Sequence, residues 1–302
     1  MKKRTLFIGL ILLTAGFFWG FAASHYSVFP YGFAKTIRDE IRVAMGNTPK
    51  RLKFLPEKYV FTDTTNRQNV SCAFDDPLVF LAIGQSNAAN HLSTFGDVAP
   101  SAEAYQFFDG RCFLIEDPVL GATGERGSLW PDFAQRLSKM SGRPVVFLTS
   151  AVGGSAIELW VADESSYYAR AAKQIELASE AGLTVDFVLW LQGEKDAELD
   201  TPQQVYAERL EALIDRFDSD FETGSEPWWI IFQASVCYDF PAGDRDISGA
   251  QKAVADRLPR AIAGPNGDRL LERLRSDGCH FNADGKEKVI AELAEIVMGE
   301  LN

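Results

Sequence analysis

The chain has 302 residues, 46% of them hydrophobic, enough for one large domain or two small ones. Its formal net charge of −12 argues against a nucleic-acid partner, whose phosphates require clustered Lys and Arg. No segment is low in complexity and no internal repeat is visible. The N-terminus, "MKKRTLFIGLILLTAGFFWGFAAS", sets Lys2, Lys3 and Arg4 before an apolar and small-residue run of 18 residues, Leu6 to Ala23. A basic start before such a run is an export signal, and this one just reaches the length that spans a bilayer. Residues 1–24 are therefore expected to be an uncleaved signal anchor, with Phe17, Phe18 and Trp19 at the interfacial end. The positive flank stays in the cytoplasm and the body is exported. Small residues at Gly20 and Ala22 leave cleavage open, which would give a secreted or periplasmic protein.

Residues 25–75 read as a membrane-proximal lead-in. Phe33, Ile37 and Ile41 fall at i, i+4 and i+8, one stripe of an amphipathic helix, and the polar, proline-containing stretch that follows reads as a linker. Residues 76–302 form the main domain. There, "PLVFLAIG", "RPVVFLTSAV", "VDFVLWLQG" and "PWWIIFQASV" are near-continuously apolar, as strands buried on both faces of a parallel sheet are. Helical patterns lie between and after them: one behind Ser128, one ending on Gly182, and one with Thr201 as cap and Pro202 at its first position. "DISGAQKAVADRL" and "NADGKEKVIAELAEIVMGEL" complete the set. Repeated strand–helix units with right-handed crossovers predict an α/β fold, a three-layer αβα sandwich on a mainly parallel sheet.

Ligands of open α/β sheets bind outside the carboxyl ends of the strands. Here those ends carry Gln85, Ser86 and Asn87; then Gly153 and Gly154; then Gln192, Glu194 and Asp196. Asp277 and His280 come just before the last helix. Alone, Ser86 is an ordinary turn residue and the paired glycines an ordinary tight turn. His280 is one of three histidines; His25 lies at the membrane boundary, and His91 has no carboxylate spaced to orient it except, loosely, Asp97. A D-x-x-H loop lets the carboxylate turn back to the imidazole. Together these residues supply an acyl-transfer site. Ser86 is the nucleophile, His280 takes its proton, and Asp277 holds the imidazole. The backbone N–H groups of Ser86 and Gly154 and the side-chain amide of Gln192 are the expected oxyanion donors, because only donors serve there. Gln192→Ala is then expected to lower turnover with little effect on folding.

Gly84-Gln85-Ser86-Asn87, Gly153-Gly154-Ser155, Gln192-Gly193-Glu194-Lys195-Asp196 and Asp277-Gly278-Cys279-His280, in that order, resemble the blocks of the SGNH (GDSL-like) hydrolase superfamily. Within it they are similar to the sialate O-acetylesterase-like carbohydrate esterases. The resemblance covers about residues 77–299. It implies a flavodoxin-like sandwich, no metal, no cofactor, and removal of O-acetyl groups from a carbohydrate, with the roles above falling on Ser86, Gly154, Gln192, Asp277 and His280. Glu194 and Asp196 are expected to hold loops rather than react. An acyltransferase using the same triad, and a glycan-binding module without catalysis, remain as alternatives.

Two expectations accompany this. Four cysteines without a C-x-x-C pair, in an exported chain, suggest disulfides, Cys237 with Cys279 beside His280 and Cys72 with Cys112. Trp160 and Arg126 are candidate substrate contacts, since an exposed Trp stacks on a sugar ring; the packing role for Trp160 and Trp130 stands beside it.

Overall fold

The computed structural model describes residues 59–99, 102–163, 165–221, 227–238, 241–270 and 272–301. The expected anchor and the stripe of Phe33, Ile37 and Ile41 lie outside them. Among the described residues no helix is long and apolar enough to cross a membrane.

In chain order the strands are β1 (Asn69–Val70), β2 (Leu78–Gly84), β3 (Ala104–Phe108), β4 (Arg111–Leu114), β5 (Val145–Ala151), β6 (Phe187–Leu191), β7 (Trp228–Gln233) and β8 (Ala261–Asn266). The helices are α1 (Trp130–Ser141), α2 (Glu158–Val161), α3 (Ser166–Glu180), α4 (Glu194–Glu198), α5 (Gln203–Asp220), α6 (Arg245–Arg257) and α7 (Ala283–Glu300). The strands make one sheet in the order β1-β4-β3-β5-β2-β6-β7-β8. Pairings from β3 through β8 are parallel, and β4 pairs antiparallel with both β3 and β1.

The four apolar runs are β2, β5, β6 and β7, and their composition follows from where they sit. All of β2, β5 and β6 is buried, because alternate side chains enter two different cores. Leu78, Phe80 and Ala82 share one core with Phe133 of α1 and Leu293 of α7. Val79, Leu81 and Ile83 share the other with Ile175 of α3, Leu213 of α5 and Val254 of α6. Helices thus cover both faces of the sheet. Strand register puts Phe80 beside both Phe147 and Phe187, and the three rings stack across the sheet at 5.2 and 5.1 Å.

Four features depart from the pattern read off the chain. The β3–β4 hairpin turns on Asp109 and Gly110, both at positive φ (49° and 76°), in the Asp-Gly chemistry that a two-residue hairpin demands. Strand β8 carries Gly264 and Pro265, which suit only the sheet edge it occupies. The second half of the stretch expected to be linker belongs to this fold. Val60 bridges to Thr123, β1 extends the sheet edge, and a Cys72–Cys112 disulfide ties it there. Helix α5 also starts one residue later than expected, with Pro202 at the cap and the Thr201 hydroxyl donating to Asp196 Oδ1 at 2.8 Å.

From β5 the chain crosses over β2 to β6, so the crevice beyond the end of β2 is a topological switch point. Gly84 makes that end. Its φ of +133° is one that L side chains rarely adopt, and a Cβ there would stand 2.0 Å from the Leu191 carbonyl oxygen. Gly84→Ala is expected to cost more than roughly 3 kcal/mol, since neither strain nor collision relaxes without parting β2 from β6. The midpoint of chemical unfolding measures this.

Candidate active site

Ser86 opens a single 3-10 turn, Ser86–Ala88, directly after Gln85 at the end of β2. Trp130 props this turn from below, its fully buried indole N–H donating to the Ala88 carbonyl at 2.7 Å. Ser86 and His280 line one cavity of about 1170 Å³.

The His280 loop is shaped by its own sequence. Gly278, at φ +82°, allows the tight turn, and Asp277 Oδ1 accepts from the backbone N–H of Cys279 at 3.0 Å and of His280 at 2.8 Å. The other oxygen, Oδ2, lies 2.8 Å from His280 Nδ1. That contact assigns the proton to Nδ1 and leaves Nε2 as the basic nitrogen. Partial burial works against ionisation of Asp277. Hydrogen bonds from the His280 side chain and from the two backbone N–H groups outweigh it and hold the carboxyl below its ordinary range.

Asn87, fully buried, locks this loop to the Ser86 turn. Its Nδ2 donates to Glu194 Oε1 at 2.7 Å and to the Cys279 carbonyl at 3.3 Å, and its Oδ1 accepts from the Phe281 N–H at 3.2 Å. The loop is also tied to the segment after β7 by the Cys237–Cys279 disulfide. Burial raises the Glu194 carboxyl above its ordinary value, partly offset by Asn87.

Of the two glycines after β5, Gly153 donates its N–H to Thr123 Oγ1 at 2.7 Å. The N–H groups of Gly154 and Ser86 have no acceptor among the described residues, and both residues line the cavity. Gln85 accepts on Oε1 from Gln192 Nε2 at 3.1 Å and from the Lys195 N–H at 3.1 Å. That fixes which way its amide faces, and Nε2 of this cavity-lining residue is left without an acceptor among the described residues.

Two expected contacts are corrected. Gln192 does not line the cavity: it is fully buried, and its Nε2 is committed to Asp196 Oδ2 at 2.6 Å, the Ser155 carbonyl at 3.0 Å and Gln85. It ties the loops after β2, β5 and β6 together beneath the cavity and has no donor to spare for an oxyanion. Asp196 works in the same layer, accepting also from the Ile157 N–H at 2.8 Å. Trp160 is likewise no substrate contact, being fully buried against Trp190 with its N–H donating to Ser155 Oγ at 3.0 Å. Arg126 is exposed on the cavity wall.

His91 is the cavity residue that the chain order conceals. No carboxylate orients it; instead its ring stacks 5.7 Å from that of His280, and its Nε2 lies 3.3 Å from Thr123 Oγ1. Burial first, then the charges of His280 and Arg126, push its pKa down to about 4, so the ring is neutral near pH 7. A neutral ring leaves the imidazolium that would form on His280 unopposed.

Two outcomes follow. Gln192→Ala leaves Asp196 and the Tyr206 hydroxyl short of a buried partner, and is expected to cost about 2–3 kcal/mol in chemical unfolding rather than to act on turnover alone. His91 takes its proton in the unfolded chain near pH 6.5 but in the folded chain only near pH 4. The unfolded state therefore binds more protons between these values, and stability falls as pH drops through that window. His91→Gln should flatten that slope, by up to about 3 kcal/mol over the window, in melting curves taken from pH 7 to 4.

The model of the family "Carbohydrate esterase, sialic acid-specific acetylesterase" matches residues 124–299, more than half of the chain. The match spans Gly154, Gln192, Asp277 and His280 and begins after Ser86. No curated protein matches the chain. Among solved structures, a protein from Arabidopsis thaliana superposes with a TM-score of 0.60 at 22% identity, covering 74% of this chain and 98% of its own. NanS superposes with a TM-score of 0.53 at 14% identity, covering 77% and 99%. These two likenesses speak for the fold; the family match, together with the ordered blocks around Ser86, Gly154, Gln192 and His280, places the chain in the sialic acid-specific acetylesterase family of carbohydrate esterases.

Proposed function

We propose that this carbohydrate O-acetylesterase works through Ser86 as nucleophile, His280 as general base and Asp277 as the group that orients the imidazole. The observation that carries the proposal is the placement of Ser86 in the same cavity as a His280–Asp277 pair bonded at 2.8 Å, beside two backbone N–H groups without acceptors. His280 Nε2 takes the hydroxyl proton as Ser86 Oγ attacks the acetyl carbonyl. The tetrahedral oxyanion is held by the N–H groups of Ser86 and Gly154, and the Nε2 of Gln85 takes the place that Gln192 cannot fill. Collapse expels the sugar oxygen, which receives the proton from His280. Water, deprotonated by the same nitrogen, adds to the acyl carbon; the bond to Ser86 Oγ breaks, Oγ takes the proton back from His280, and the acetyl group leaves as acetic acid. The ionised Asp277 stabilises the imidazolium in both halves.

The protein is proposed to be exported, with the catalytic domain on the non-cytoplasmic side. The basic-then-apolar N-terminal run supports this, as do two disulfides, which persist in oxidising compartments.

Incubating the full chain with an acetylated polysaccharide and with a small acetate ester, and measuring free acetate, tests the mechanism. Ser86→Ala and His280→Ala are each expected to lower the rate roughly 10³-fold or more. Activity unchanged in either variant would sink the proposed roles. Acetyl transfer to added oligosaccharide in preference to water would make the protein an acyltransferase, and glycan binding without turnover would make it a binding module.

A further inference from the structure

Among the described residues four large hydrophobic side chains are exposed, and two of them, Tyr59 and Tyr238, line the cavity that holds Ser86 and His280. A single exposed aromatic is ordinary. Tyr238 is not ordinary in its backbone. It is 62% exposed and has a φ of +34°, a conformation that a bulky L-residue enters only when its surroundings impose it. Nothing gained by burying the ring offsets that cost.

The residue before it is held covalently. Cys237 is joined to Cys279, the neighbour of His280, so the backbone at Tyr238 is moored to the His280 loop. Tyr238 lines the same cavity as His280, and partial burial, then the charge of Asp277, raises the phenol's pKa. A ring held this way offers a flat apolar face at little further loss of freedom, since Tyr has only two side-chain torsions to fix.

The cavity's 1170 Å³ exceeds the roughly 300–1,000 Å³ of common small-molecule pockets and admits more than one sugar ring. A pyranose presents a face of C–H groups that packs on an aromatic face. Trp160 and Trp130 are fully buried and unavailable for it.

We propose that Tyr238 is the platform on which a pyranose ring of the substrate stacks, steadying an acetylated oligosaccharide from the His280 side of the cavity. The proposal rests on the esterase function above and adds to it a specificity-determining residue. Arg126 and Tyr59 also line this cavity.

The test separates binding from turnover. In full-length Ser86→Ala protein, titration calorimetry with an acetylated oligosaccharide should show affinity falling roughly 5- to 20-fold when Tyr238→Ala is added. Tyr238→Phe should keep it within about twofold, because the ring face rather than the hydroxyl does the stacking. In protein with Ser86 intact, Tyr238→Ala should raise KM for the oligosaccharide and leave hydrolysis of ethyl acetate, which has no ring, unchanged. Unchanged oligosaccharide affinity in Tyr238→Ala would overturn the proposal, as would an equal loss on both esters, which would mean that Tyr238 acts by supporting the His280 loop. Whether wild-type protein releases acetate at all is read separately, so a failed esterase assignment and a failed platform give different results.

Discussion

The site depends on one constraint: polar groups buried at the carboxyl ends of β2, β5 and β6 call for partners inside the protein, which Asn87, Gln192 and Asp196 find and Ser150 Oγ and Glu194 Oε2 do not. The hydrogen bond from Asn87 to Glu194 at 2.7 Å shows how this is met. Asn87 comes from the turn after β2, Glu194 from the start of α4 after β6, and the other Asn87 contacts reach the His280 loop near the C-terminus. An unpartnered buried amide or carboxylate costs on the order of kilocalories, so the three segments are held to one mutual geometry. Ser86 and His280 acquire their positions from this layer.

A second layer lies beneath the first. Gln85, Gln192 and Asp196 join the same strand ends with the Tyr206 hydroxyl and Gln251 behind them. Two carboxyl groups, Glu194 and Asp196, sit in or against these layers with pKa values raised by burial. Removing such groups from water is costly, and well-packed apolar residues would often serve stability as well. What the polar layers add is placement: Ser86 and Gly154 line the cavity with backbone N–H groups that have no acceptor among the described residues, while that of Gly153 is consumed by Thr123. Preorganised donors of this kind need no reorganisation when charge develops.

Strands and helices were legible in the chain because burial on two faces leaves a mark on every residue. The runs at β2, β5, β6 and β7 could hardly be anything else; the caps were less legible, since α6 and α7 are capped by Asp244 and Asn282 while α1 and α5 have Leu129 and Pro202 at the cap position rather than Ser128 and Thr201. The hairpin of β3 and β4 was missed although "FFDGRCF" holds its Asp-Gly turn, because neither strand is a continuous apolar run. Strand β8 was missed because an edge tolerates glycine and proline. The Asp277–His280 pairing is local, three residues apart with a glycine between, so spacing alone suffices to suggest it.

Gln192 and Trp160 mark where such inference stops. Gln192 stands one residue past β6 and Trp160 sits in α2, nine residues past β5, and tertiary packing decides whether each side chain meets the cavity or the core. The chain could name an amide donor and an aromatic near the site; only the packing assigned Gln192 and Trp160 to the interior and left Gln85 and Tyr238 facing the cavity. His91 is the converse, a residue with no partner in its own segment that becomes a neighbour of His280 through the fold. By itself the sequence determined four of the strands, β2, β5, β6 and β7, through their apolar runs, and the order of the blocks that carry the family resemblance, because these are written in short contiguous stretches. Which side chains face solvent at the crevice was decided by tertiary structure, because that depends on contacts between segments about a hundred or more residues apart.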